Sequence, residues 1–172
     1  MLWTIAIASA LAGQSAAAAP VTFTAPAGWQ TRPPASRMRL AEFIVPKAPG
    51  DAEDAEAIIY YFGGGGGTAD ANVERWIGQM QQPDGRPSAA VARRATRTIN
   101  GLTVTTLDVS GTYTAEMRPG ATEHFNKPGF RLRGAIIETP HGPCFIKMTG
   151  PEKTVERAGP DFERLLTSIK PQ

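Results

Sequence analysis

Five consecutive glycines, Gly63 to Gly67, divide this chain, and no regular element is expected to cross them. Each glycine gives up more backbone freedom on ordering than any other residue and offers no side chain to pack. The segments on either side have different periods. Ala57-Ile58-Ile59-Tyr60-Tyr61-Phe62 is apolar on both faces, which predicts a central strand covered on both sides. Beyond the run, Val73, Trp76, Ile77 and Met80 fall at i, i+3, i+4 and i+7, which predicts a helix over 70–82 with one buried stripe. Asp70 is its expected cap, and Pro83-Asp84-Gly85 its end. Strand, glycines and helix in that order also describe a phosphate-binding loop, whose backbone N–H groups and helix N-terminus receive an anion. The run lacks the Gly-Lys-Ser/Thr ending and has no spaced fingerprint, so a strand-to-helix connector is favoured. Anionic-ligand binding at the Gly63 to Gly67 loop, with Gly64, Gly65 and Gly66 as contacts, is the alternative, and an ordered run would imply close backbone approach or positive φ.

The rest of the chain alternates short apolar segments with turn residues. Val21 to Thr24 reads as a strand closed by Pro26-Ala27-Gly28-Trp29, and Thr31 to Pro34 as a connector. Met38 to Val45 reads as a strand with one better-buried side. Val91 to Ile99 and Leu102 to Tyr113 form a hairpin through Asn100-Gly101, a pair that tolerates the positive φ angles of a tight turn. Tyr113 to Arg131 has no sustained period and reads as a long loop, the leading interaction region on that ground. Leu132 to Thr139 and Cys144 to Thr149 form a second hairpin across Pro140-His141-Gly142-Pro143. A closing helix is expected to start at Thr149 as cap with Glu152 three residues on, and to kink or restart at Gly159-Pro160. Three strands, a helix, four strands and a helix make an α+β arrangement, an antiparallel sheet with packed helices.

The first nineteen residues, MLWTIAIASALAGQSAAAA, contain no charged side chain and read as a secretory signal peptide. Their apolar stretch, Leu2 to Ala12, is shorter than the about 20 residues that span a bilayer. Small residues suit cleavage after Ala17 or Ala19, although the segment lacks the usual Lys or Arg at its start. An uncleaved anchor or a buried N-terminal helix is the alternative. Residues 20–172 then form a single domain, long enough for one core and needing no disulfide, which the lone cysteine could not form. Export makes nucleic acids and nucleoside triphosphates uncommon partners. A net charge of +2 adds no case for a nucleic-acid or membrane surface.

Few residues suggest chemistry. Cys144 and His141 stand three apart across a hairpin, as a thiolate–imidazole pair of a hydrolase or redox enzyme would, but Cys144 opens the apolar run Cys144-Phe145-Ile146 and a buried thiol is favoured. Two histidines in no ligand spacing predict no metal site, and no cofactor is expected. His124 is expected on the surface of the long loop. Around it, Tyr113, Met117, Phe125 and Phe130 form a recognition surface or tuck back onto the sheet, the second being favoured. Alternation puts Arg93 and Arg97 on one strand face and Arg94 on the other, with Arg131 and Arg133 on a later strand, so no continuous basic patch is implied.

Several stretches resemble the PsbP-like superfamily of small α/β proteins, in particular its exported bacterial branch of unknown function. They are VTFTAPAGW, MRLAEFIVP, IIYYFGGGGGTADANVERWIGQM, INGLTVTTLDVSGTY, GAIIETPHGPCFIKMTGP and the tail ending FERLLTSIK. The resemblance implies a PsbP-like sandwich, an antiparallel sheet of about six to seven strands flanked by helices. It further implies a binding or assembly role, as in the extrinsic subunit of photosystem II and a Ran-binding import factor, and it brings no catalytic motif. The expected function is that of an exported, non-catalytic accessory whose partner is an unidentified protein or a small ligand. No nucleic acid and no stable membrane insertion after signal cleavage are expected. Gly64, Gly65, Gly66, Tyr113, His124 and Phe125 are the candidate contact residues.

Overall fold

The structure, a computed structural model, describes residues 19–172, and the segment read as a signal peptide lies outside the described residues but for Ala19. The elements run β1 (Val21–Thr22), β2 (Gln30–Arg32), β3 (Arg39–Val45), β4 (Ala55–Tyr61), α1 (Ala69–Ile77), β5 (Met80–Gln81), β6 (Arg93–Ile99), β7 (Leu102–Tyr113), β8 (Lys127–Glu138), β9 (Cys144–Pro151), α2 (Glu152–Arg157), α3 (Gly159–Ser168) and β10 (Lys170–Pro171). All pairings are antiparallel. One sheet of eight strands has the order β2-β3-β4-β9-β8-β7, with β5 and β6 both bonded along the outer edge of β7. A two-stranded sheet, β1 with β10, ties the start of the domain to its end. This is an α+β fold with more strands than the sequence indicated. The additions, β2, β5 and β10, are two or three residues long, too short to show an alternating period.

Alternation along the strands builds two cores. On one face Phe43, Val45, Ile59, Ile137, Ile146 and Met148 pack under Val155, Phe162, Leu165 and Leu166 of α2 and α3. On the other, Leu107, Leu132, Ile136 and Phe145 pack under Val73 and Trp76 of α1. Strand β4 is covered on both sides as its composition requires, with Ile58 and Ile59 both buried. Helix α1 lies close to the sheet because β8 carries Gly134 beneath it: a Cβ there would stand 2.3 Å from the Trp76 ring.

Local features differ from the sequence reading in four places. Helix α1 is capped by Thr68, which holds an extended backbone and accepts from the Ala71 N–H at 3.2 Å. Asp70 pairs instead with Arg94. The helix ends at Ile77, and Met80 is buried from β5, paired opposite Tyr113, so its i+7 spacing does not reflect a helical position. Strand β8 begins at Lys127, shortening the expected loop to 114–126. Pro128 and Gly129 fall where the register with β7 shifts between Gly111 and Tyr113, a bulge that spares the ladder the missing proline N–H. Thr149 lies within β9 rather than capping a helix. The first turn of α2 is capped from elsewhere in the chain, by Asp51, whose carboxylate accepts from the Thr154 N–H at 2.9 Å and its hydroxyl at 2.6 Å.

Candidate functional site

The glycine run is a packed loop. Gly63, Gly64, Gly66 and Gly67 all have positive φ, between 64° and 108°. A Cβ on Gly66 would come 2.7 Å from the Phe145 ring and 2.8 Å from that of Phe62. Gly64 touches the β8–β9 turn so closely that a Cβ on Gly142 would lie 2.4 Å from its Cα. Buried Asn72 fastens the loop by donating to the carbonyls of Gly66 at 2.8 Å and Thr68 at 2.9 Å, and Tyr61 donates its hydroxyl to the His141 carbonyl at 2.8 Å. Gly65 turns its N–H back onto the Phe62 carbonyl at 3.2 Å. A hollow of about 240 Å³ lies beside Gly67, Thr68 and Ala69, but Glu138 sits on its wall and opposes an anion there.

Tyr113, His124 and Phe125 meet at the other end of α1. Segment 114–126 folds back on itself through Met117 N–H to the Glu123 carbonyl at 3.0 Å and Phe125 N–H to that of Ala115 at 2.9 Å, with Glu116 and His124 bridged. His124 is exposed, its Nδ1 2.9 Å from the Thr114 carbonyl, where it holds the loop shut. The Tyr113 ring stacks on Phe125 at 5.6 Å and on Phe130 at 6.2 Å, so these aromatics do tuck back onto the sheet. Met117 stays outside, 55% exposed.

Against this stack lies a residue that the sequence reading passed over. Lys147 of β9 donates from Nζ to Gln79 Oε1 at 2.5 Å and to the Tyr113 hydroxyl at 2.9 Å, and stands 5.0 Å from the centre of the Tyr113 ring. Burial, with Arg75 nearby, brings its ammonium down to about 7. Burial, with Tyr60 nearby, pushes the Tyr113 phenol up to about 12. The signal available in the sequence was a lone lysine inside the apolar run Cys144 to Thr149. Chemically the cluster offers an amine that changes charge near neutrality, an amide and a stacked aromatic surface.

Cys144 and His141 are not placed for nucleophilic catalysis. The thiol lies fully inside the core and donates to the Tyr60 carbonyl at 3.3 Å, and burial pushes it up to about 12, whereas the His141 side chain is exposed at the β8–β9 turn. The strand arginines are dispersed: Arg94 pairs with Asp70 on the α1 side, Arg97 with Glu163 of α3, and Arg131 with Asp108. Among the described residues no group of three or more His, Cys, Asp or Glu is placed to hold a metal ion, and no helix is long and apolar enough to cross a membrane.

No family model and no curated protein matches the chain, so the PsbP-like resemblance has no family model behind it. Among solved structures the chain is similar to PA94 of Pseudomonas aeruginosa, a protein of unknown function, at 16% identity and a TM-score of 0.49 over 76% of this chain and 81% of that one. It is also similar to LpqN, involved in cell envelope biogenesis of Mycobacterium tuberculosis, at 10% identity and a TM-score of 0.48 over 87% and 82%. Neither likeness transfers an activity or a residue role.

Proposed function

We propose that this protein is an exported, non-catalytic binding or assembly module of PsbP-like type that engages a protein partner through segment 114–126 and the aromatic stack beneath it. The observation that carries this reading is the geometry of that segment. Its own hydrogen bonds hold its shape, Phe125 and Tyr113 brace it, and Met117 projects into solvent. A preformed loop loses little entropy on docking, and methionine and aromatic side chains are enriched at interfaces. In this reading Tyr113, His124 and Phe125 shape the contact surface. Gly64, Gly65 and Gly66 form the joint that seats α1, rather than an anion cradle. Burial of Cys144 supports the non-catalytic part, and the reading calls for no cofactor.

Two measurements test it. Residues 1–19 fused to a reporter active only outside the cytoplasm are expected to yield activity, and the exported protein to have a mass starting at Ala18 or Pro20; an inactive reporter removes the export claim. With residues 20–172 as bait, quantitative affinity capture from the exported fraction is expected to lose its main partner with Met117→Glu and to keep it with Arg164→Ser on α3. Equal capture by wild type and Met117→Glu rules out the loop as the docking site.

A further inference from the structure

A cleft of about 330 Å³ opens elsewhere, between the β6–β7 edge and α2. Its floor is an ion pair. Asp108 of β7 receives Arg131 of β8 in bidentate fashion, Nε to Oδ1 at 2.6 Å and Nη2 to Oδ2 at 2.7 Å, and Arg133 Nε reaches Oδ2 at 3.2 Å. Both carboxylate oxygens are therefore taken. The consequence falls on Arg93, which stands directly across from Asp108 in the β6–β7 register and would be its ordinary cross-strand partner. With Asp108 committed elsewhere, Arg93 makes no ion pair among the described residues and lines the cleft.

The opposite wall has the complementary surplus. Glu152 and Glu156 lie one turn apart on α2 and both face the cleft. Glu152 accepts the Ser110 hydroxyl on Oε1 at 2.7 Å, and Glu156 makes no ion pair among the described residues. An anion alone would meet three carboxylates here, and a cation alone would meet Arg93 and Arg131. A molecule bearing both charges satisfies both walls, its carboxylate on the Arg93 fork and its ammonium between the two glutamates. The volume is near the lower end of the about 300–1,000 Å³ of small-molecule sites, which suits one or two residues and no polymer.

We propose that this cleft binds a small zwitterion, a free amino acid or a dipeptide, with Arg93 holding its carboxylate and Glu152 and Glu156 its ammonium. The cleft shares no residue with segment 114–126, so the proposal stands or falls independently of the partner-docking reading. Titration calorimetry at low salt with the common L-amino acids and alanyl-alanine tests it, together with the N-acetyl and C-amide derivative of whichever compound binds best. At least one compound is expected to bind, and each derivative to bind about tenfold or more weakly, since each loses a charge-assisted pair. Arg93→Gln is expected to abolish discrimination between acid and amide only, and Glu156→Gln to weaken discrimination between free and acetylated amine only. Both residues are exposed, so the variants are expected to keep the wild-type circular dichroism. Absence of heat for every compound, equal binding of the derivatives, or unchanged discrimination in Arg93→Gln would overturn the proposal.

Discussion

A lysine in a sheet interior must either reach water or find acceptors, and Lys147 takes the second course with Gln79 and Tyr113. The placement makes its proton cost visible. Between about 7 and the ordinary lysine value of 10.5, the unfolded chain holds a proton that the folded chain has released, so this group makes stability rise with pH across that window. Cys144 acts in the opposite direction at higher pH. Its thiol ionises in the unfolded chain from an ordinary value of 9.0 but stays protonated in the fold up to about 12, so stability falls as pH climbs past 9.0. Urea midpoints of the wild type are therefore expected to climb from about pH 7 to about pH 9, to level off where the two groups offset each other, and to fall above about pH 10, where the raised Tyr113 phenol adds to the Cys144 effect. Lys147→Met, similar in length and without the amine, is expected to flatten the climb and to bring the onset of the fall down to about pH 9. Superimposable curves for the two proteins would show that Lys147 titrates normally.

Helix α1 is the element through which most of the site is arranged, since its ends abut the glycine joint and, through Gln79, the Lys147 cluster. Its cap separates two readings of one segment. The sequence reading takes Asp70 as the cap, yet Thr68 is extended with its hydroxyl on the Ala71 N–H. The tight backbone of Gly66 and Gly67, secured by Asn72, delivers the chain to the helix two residues earlier. Thr68→Ala is expected to cost about 1 kcal/mol in chemical denaturation and Asp70→Ala at most about 0.5 kcal/mol, as for a lost cap and an exposed ion pair. The reverse order would mean that Asp70 is the cap in solution.

For the whole molecule, closure depends on the last residues. Val21 opposite Pro171, Thr24 N–H on Ser168 Oγ at 2.9 Å and Gln172 N–H on the Pro20 carbonyl at 3.1 Å clasp the two ends of the domain. Removing residues 170–172 uncovers Val21, now 2% exposed, and is expected to lower stability by about 1–3 kcal/mol and to admit proteases near residues 20–28. An unchanged protease map would make the clasp incidental. Alternation and turn chemistry are local, and so the sequence alone determined both long hairpins, the Asn100-Gly101 turn with its positive φ at each residue, the doubly covered β4, the break at Gly159-Pro160 and the buried Cys144. Partners distant in the chain left no such mark. That β9 lies between β4 and β8, that Asp51 caps α2, that Phe145 and Phe62 require Gly66, that Asp108 abandons Arg93, and that Lys147 reaches Gln79 and Tyr113 were decided only by tertiary structure. The physical reason is that hydrogen bonding, close approach and desolvation depend on distances in space, which residue spacing along a folded-back chain does not encode.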